Sequence, residues 1–303
     1  MTPTHFAVEE VAPGVHACLD AGTGAAVSNA AIIDCGDKAI VVDAFNSTAA
    51  SAELRAAVPE LTGKNTFLLV NSHWHPDHYW GNQEFADTPI VGTRRMMELM
   101  VAAAPADLGA WTAELDAQLD ALRAQAESDD EKTRSLAERR MGMIGPVREM
   151  APGFRLTLPD ILIDGHLQIE GERTVEIITE GGGHTESDVF AWVPDVRTVV
   201  TGDLVWNGVH PKTEHGDLAS WVRIDRLLLD LSPAHVIPGH GDAAGPEIIE
   251  AFVPYLERVA EMVAELVADE TLDPGAMPVP EGSEEWSNRV LLRGGLSGLA
   301  GRT

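Results

Sequence analysis

Short apolar runs open the chain, give way to helical spacing in its middle, and return in its second half. VHACL, AAVSNAAIID and KAIVVDAF are β-branched-rich and broken by Gly and Asp, which predicts a meander of strands. A helix is expected at about 47–58, with Ser47 or Thr48 as its cap, good helix formers in TAASAELRAAV, and Pro59 just beyond its end. TFLLV, at 66–70, is apolar without alternation and reads as a fully buried strand. From about 93 to 150 the chain turns rich in Ala, Leu, Glu and Arg, with Leu115, Leu119 and Leu122 at helical spacing, so two or three amphipathic helices are expected. Core packing is the simpler role for those leucines; if the helices instead close over a site, Met96, Met97, Trp111, Met141 and Met143 could line an apolar pocket.

ILIDGHLQIE, RTVEIITE, DVFAWVP and RTVVTGD then resume the strand pattern, with turns at Asp164-Gly165 and around Asp195. Helices are expected at about 217–231 and 246–268, on either side of the short apolar run HVIPGHG. The last 35 residues fit no strong template. Two similar halves around a helical insertion is the organisation this predicts.

With 303 residues, 45% of them hydrophobic, the chain can bury a full core as one large domain or two small ones. Its 21 basic and 48 acidic residues give a net charge of −27, which disfavours nucleic acid and anionic membranes as partners. No apolar run approaches the roughly 20 residues that span a bilayer. The opening MTPTHFAVEEVAPG lacks a signal-peptide pattern, so a cytoplasmic protein is expected. Cys18 and Cys35 lie in apolar stretches without CxxC spacing and read as buried small hydrophobes.

Chemistry concentrates in NSHWHPDHYWGN, which holds His73, His75, Asp77 and His78. Residues two apart in an extended segment point the same way, so His73 and His75 can face one ion. Asp77 and His78 lie beyond Pro76, where the chain should turn toward a neighbouring point. Four such groups cannot close two metal sites, so further ligands must come from elsewhere. GGGHTESD offers His184, TVVTGD offers Asp203 and HVIPGHG offers His240, each expected near the end of a strand.

HxHxDH at 73–78, the Gly-rich His184, Thr-Gly-Asp at 201–203 and Pro-Gly-His-Gly at 238–241 together resemble the ordered ligand motifs of the metallo-β-lactamase superfamily of hydrolases, over roughly residues 12–245. The resemblance implies an α/β fold of four layers, an αββα sandwich of two mixed sheets with the metals at one edge. It implies a single domain over 1–303, with a helical insertion at about 93–150 and a C-terminal extension at about 269–303. It implies that His73, His75 and His184 hold one metal, that Asp77, His78 and His240 hold another, and that Asp203 bridges them.

On that assignment, two ions roughly 3.5–4 Å apart would share a water and generate hydroxide near neutral pH to attack a carbonyl, with Asp77 able to pass its proton on. Zinc is the first expectation for an imidazole and carboxylate set without thiolate, with iron or manganese as alternatives. The substrate is expected to be a small ester, thioester, lactone or lactam, neutral or apolar. Trp74, Trp206, His210 and His215 are weaker candidates for contacting it, while His5, His16, His166 and His235 read as structural or solvated. Asp203 stands where the main zinc β-lactamases carry cysteine, and Trp206 where lactonases of the superfamily carry tyrosine. The bridging aspartate fits a general, glyoxalase-II-like hydrolase branch, although no basic cluster closes the chain. A di-iron redox or oxygen-handling protein and a scaffold without turnover are the competing classes. The oligomeric state is left open.

Overall fold

The computed structural model describes residues 2–65, 67–269 and 271–301. One sheet holds β1 (Phe6–Ala12), β2 (Val15–Asp20), β3 (Ala30–Asp34), β4 (Ala39–Val42), β5 (Phe67–Val70), β6 (Ile90–Thr93) and β7 (Ile161–Ile163), side by side in that order. Its first four strands are antiparallel and β4 to β7 are parallel. The second sheet holds β8 (His166–Ile169), β9 (Val175–Ile178), β10 (Phe190–Val193), β11 (Thr198–Trp206) and β12 (His235–His240), with only the β11–β12 pair parallel.

Parallel neighbours need a crossover, and helices supply it. The helix α1 (Thr48–Thr62) joins β4 to β5, and the single turn α2 (Pro76–Tyr79) follows β5. Helices α3 (Arg94–Ala103), α4 (Leu108–Ala126) and α5 (Glu131–Met150) fill the β6–β7 crossover. After the second sheet has begun come α6 (Leu218–Asp230), α7 (Glu247–Ala268) and α8 (Arg289–Ala300).

Strand alternation sorts the apolar side chains into layers. Ile32 and Val41 face α1, where Leu54 and Val58 meet them. Ile33, Ile40 and Val42 face the other sheet and pack with Val175, Ile177 and Ile237. On the far side of that sheet, Phe190, Trp192 and Val199 are covered by Trp221 and Leu228 of α6, Phe252 and Leu256 of α7, and Leu292 and Leu296 of α8. The layer order is therefore helix, sheet, sheet, helix.

Several sequence expectations are corrected. Pro59 lies inside α1, which continues to Thr62 and ends at Gly63 in the left-handed region; only one interior bond is forfeited so close to the end. Residues 25–29 are not strand. The chain does bend at Asp164-Gly165, but the bend leads from one sheet to the other, because β7 and β8 belong to different sheets. The tail contains α8. In β5, Phe67 and Leu68 are only half-buried. The insertion comprises three helices, and Leu115, Leu119 and Leu122 are buried as expected. Of the five proposed pocket residues, Met96 is in the core between the sheets, Trp111 packs on Trp80 and Phe154, and Met143 alone lines a cleft at the candidate site. Cys18 and Cys35 are buried free thiols, and among the described residues no helix is long and apolar enough to cross a membrane.

The insertion is seated against the sandwich at a backbone contact. Gly24, with φ +82°, lies so near α5 that an added Cβ would stand 2.3 Å from the carbonyl oxygen of Gly142.

Candidate metal centre

The chain leaves β5 in extended form and carries His73 and His75 out on one side. Pro76 then opens α2, its fixed φ suiting the first helical position, and the turn swings Asp77 and His78 to an adjacent point. His184 lies in the loop between β9 and β10, and His240 is the last residue of β12. Asp203 does not follow the end of its strand as expected. It sits inside β11, where the pairing with β12 slips between Val200 and Gly202 and again before Trp206, an irregularity of the kind that re-aims a side chain. Gly239 is required opposite it, because a Cβ there would lie 2.0 Å from Asp203 Oδ1.

These elements bring the seven residues into two groups. His73, His75, His184 and Asp203 form one, and Asp77, His78 and His240 the other, with the ligand-type atoms of each group within 4.8 Å of one another. The Asp203 carboxylate divides between them. Its Oδ2 lies 3.2 Å from His184 Nε2 and 3.6 Å from His73 Nε2, while Oδ1 lies 3.1 Å from His78 Nε2 and 3.4 Å from His240 Nε2. His184 Nε2 also faces His75 Nδ1 at 2.9 Å, and Asp77 Oδ2 is 3.4 Å from His240 Nε2 and 3.7 Å from His78 Nε2.

The donor set fits cations. Buried polar atoms normally find hydrogen bonds, yet His73 Nε2, His78 Nε2, His240 Nε2 and Asp203 Oδ1 are buried without one among the described residues. All four converge on the space between the groups. Burial, reinforced by the neighbouring rings, holds the His73 and His75 pKa values well below the usual imidazole range, which keeps them neutral as ligands must be. Burial works against charge on Asp203 as well, but His240, His78, His73 and His184 together outweigh it and hold the carboxyl well below its usual range. For Asp77 the same opposition is won by His78 and His240, again downward. His78 and His240 are displaced upward against burial by Asp203 and other carboxylates, His240 to about 9.

A second ring of groups orients the first. Asp43 accepts hydrogen bonds from His78 Nδ1, Ser72 N and Ser72 Oγ, each at 2.7 Å, and Ser72 Oγ lies 3.0 Å from His73 Nδ1. Asp188 accepts from the amides of Gly183 and Thr185 and so fixes the loop on both sides of His184. Asn29 Nδ2 donates to the carbonyls of Pro238 and Gly241, bracketing His240. Sequence reasoning missed all of these. For Asp43 a signal was present: KAIVVD closes an apolar run with aspartate, much as TVVTGD does.

The weaker candidates separate. His215 Nδ1 lies 2.8 Å from His75 Nε2, and the Trp74 ring lies against both. Trp206 stacks on His240 at 3.9 Å between ring centroids and donates from Nε1 to the Asp203 carbonyl, so it holds the centre in place while edging the cleft. His210 is elsewhere. It is buried at 0% exposure, 3.0 Å from the Tyr255 hydroxyl and beside Trp286, because the loop after β11 folds back beneath α7 and the C-terminal segment.

An αββα sandwich with paired His/Asp clusters where its two sheets meet defines an α/β protein equipped to bind metal. Residues 23–240 match the metallo-beta-lactamase superfamily, and the chain belongs to that superfamily of generally hydrolytic enzymes. Among solved structures it is similar to a metallo-beta-lactamase from Pontibacter korlensis, at 17% identity and a TM-score of 0.57 over 83% of this chain and 99% of that one. It is similar also to the DIM-1 metallo-beta-lactamase, at 15% identity and a TM-score of 0.59 over 84% and 98% of the two chains. TMB-1 gives 15% identity and a TM-score of 0.57 over 85% and 99%. At such identities the likeness is one of fold. Comparison with curated proteins gives no match.

Proposed function

We propose that the chain is a dinuclear metal-dependent hydrolase acting on the carbonyl of a small ester, thioester, lactone or lactam, in an aspartate-bridged, general-hydrolase branch of its superfamily. One observation carries the reading: the two oxygens of Asp203 each face a different cluster. His73, His75 and His184 would hold one ion, Asp77, His78 and His240 the other, and Asp203 both. The imidazole and carboxylate donors, without thiolate, favour zinc. Divalent ions bound there would acidify water and polarise a carbonyl.

The protein's own groups would do the rest. Asp43, through His78 and through Ser72 beside His73, keeps the rings aimed, and His215 and Trp74 cover the outer face of His75. Asp77 keeps 21% of its side chain exposed and lines the cleft, so its carboxylate is placed to take up a proton and return it to a leaving group.

The test is metal analysis of protein purified without added metal, together with a screen of nitrophenyl esters, thioesters, lactones and lactams. Two equivalents of zinc with hydrolysis is the expected result. Asp203→Ala, with its fold checked by circular dichroism, should lose both equivalents and about a hundredfold or more of activity. Two irons with oxygen consumption and no hydrolysis would overturn the reading.

A further inference from the structure

Five imidazoles turn a nitrogen toward the centre, and one of them does so differently. His73, His78, His184 and His240 each point Nε2 at the Asp203 carboxylate. His75 points Nδ1, which lies 2.9 Å from His184 Nε2. Its Nε2 is therefore turned away from the clusters.

The chemistry of a neutral imidazole then sets a requirement. One ring nitrogen carries the proton and the other the lone pair, so a His75 that offers Nδ1 to an ion must hold its proton on Nε2. The residue is 4% exposed, and a buried N–H left without an acceptor is a net loss. His215 Nδ1, 2.8 Å away, is the partner that the structure provides.

The segment that carries His215 is fixed at both ends. Thr213 is buried so close beneath α8 that a Cβ on Gly295 would lie 2.0 Å from its Oγ1. Asp217 donates its amide to the Gly183 carbonyl at 2.9 Å, next to His184. Gly216 is needed at that approach, because a Cβ there would stand 3.0 Å from the same carbonyl and 3.2 Å from the Trp221 ring. The Trp74 ring, 4.9 Å from that of His215 between centroids, backs the imidazole. One short segment thus reaches two ligands of the first cluster that are far apart in sequence: His184 through its neighbour Gly183, and His75 directly.

We infer that His215 is a positioning residue: its Nδ1 accepts the Nε2–H of His75, which fixes the His75 tautomer and leaves Nδ1 as the donor to an ion held with His73 and His184. His215 in turn carries its own proton on Nε2. It holds the cluster rather than the substrate. The inference rests on the metal-binding part of the proposed function and is independent of which carbonyl compound is cleaved.

Nitrogen-15 NMR of the zinc-loaded protein reads the tautomers without any substitution: His75 and His215 should each carry the proton on Nε2, and the His75 ring proton should exchange slowly with water. His215→Asn keeps an acceptor where Nδ1 stands, whereas His215→Phe keeps a ring against Trp74 and removes the acceptor. Zinc affinity, measured without substrate by competition with a chromophoric chelator, should fall about tenfold or more in His215→Phe and stay within a few-fold of the unsubstituted protein in His215→Asn. The visible spectrum of the cobalt-loaded protein should shift in the first variant and not in the second. A residue that only touched substrate would instead raise KM and leave zinc affinity unchanged. A proton on His215 Nδ1, or zinc binding by His215→Phe equal to that of the unsubstituted protein, would overturn the inference and leave the hydrolase standing. Weakened zinc binding in His215→Phe, restored in His215→Asn, with no ester turned over by any form, would uphold the inference and sink the hydrolase.

Discussion

Asp43 is held at φ +64°, an uncommon conformation for a residue other than glycine, and from it one carboxylate serves both clusters. It accepts a hydrogen bond from His78 Nδ1, so that Nε2 is the nitrogen left to serve a bound cation, and it reaches His73 through Ser72. Asp43→Asn keeps an oxygen for Ser72 N and can retain the fold, but it weakens the hold on the His78 tautomer. Metal affinity should fall roughly 10–100-fold, read by competition with a chromophoric chelator, with little change in far-UV dichroism. The seven candidate ligands were legible in the sequence because each sits in a motif of closely spaced His, Asp and Gly. Asp43, Asp188 and Asn29 were not, since a polar residue that acts through another's ring carries no spacing of its own. His210 shows the opposite failure: nearness in sequence to Asp203 suggested nearness to the centre, and the fold of the loop decided otherwise.

At the level of elements, α5 owes its position to contact rather than to sequence pattern. Arg139 bridges it to the C-terminal segment through Asn288, and Gly142 meets Gly24 backbone to backbone. Gly24→Ala adds a methyl where only 2.3 Å is left and at a φ that disfavours a side chain. It should destabilise the protein by about 1–3 kcal/mol and displace α5 from the cleft, seen as a lowered melting temperature and a raised KM with kcat less affected. Most elements could be read from periodicity, including the helical character of 93–150, where two or three helices were expected and three are present. α8 could not: RVLLRGGLSGLA carries three glycines and weak intrinsic helicity, and it is packing of Leu292, Leu296 and Leu299 that forms it. The turn at Asp164-Gly165 was legible but the change of sheet across it was not, because a turn dipeptide marks a change of chain direction and not which sheet receives the next strand.

For the molecule as a whole, the centre and the fold support each other. Buried carboxylates and imidazoles with unpaired atoms cost stability, and cations that bind only the folded chain restore it. If free ion stands near a thousand times the dissociation constant, a single site contributes about 4 kcal/mol. Removing the ions with a chelator should therefore lower the melting temperature by something on the order of 10 °C, and adding back zinc should recover it; a melting curve indifferent to chelation would argue against occupancy. The αββα architecture was legible in advance through the family motifs, whereas the depth of each layer depended on contacts between strands far apart in sequence.

At the Asp164-Gly165 link the chain leaves the first sheet for the second. Each ligand group draws on both sides of it: His73 and His75 are completed by His184 and Asp203, and Asp77 and His78 by His240. A protein nicked at that link would yield two pieces, each with an unfinished grip, and the ions would then act as rivets, drawing the halves into one body from solution.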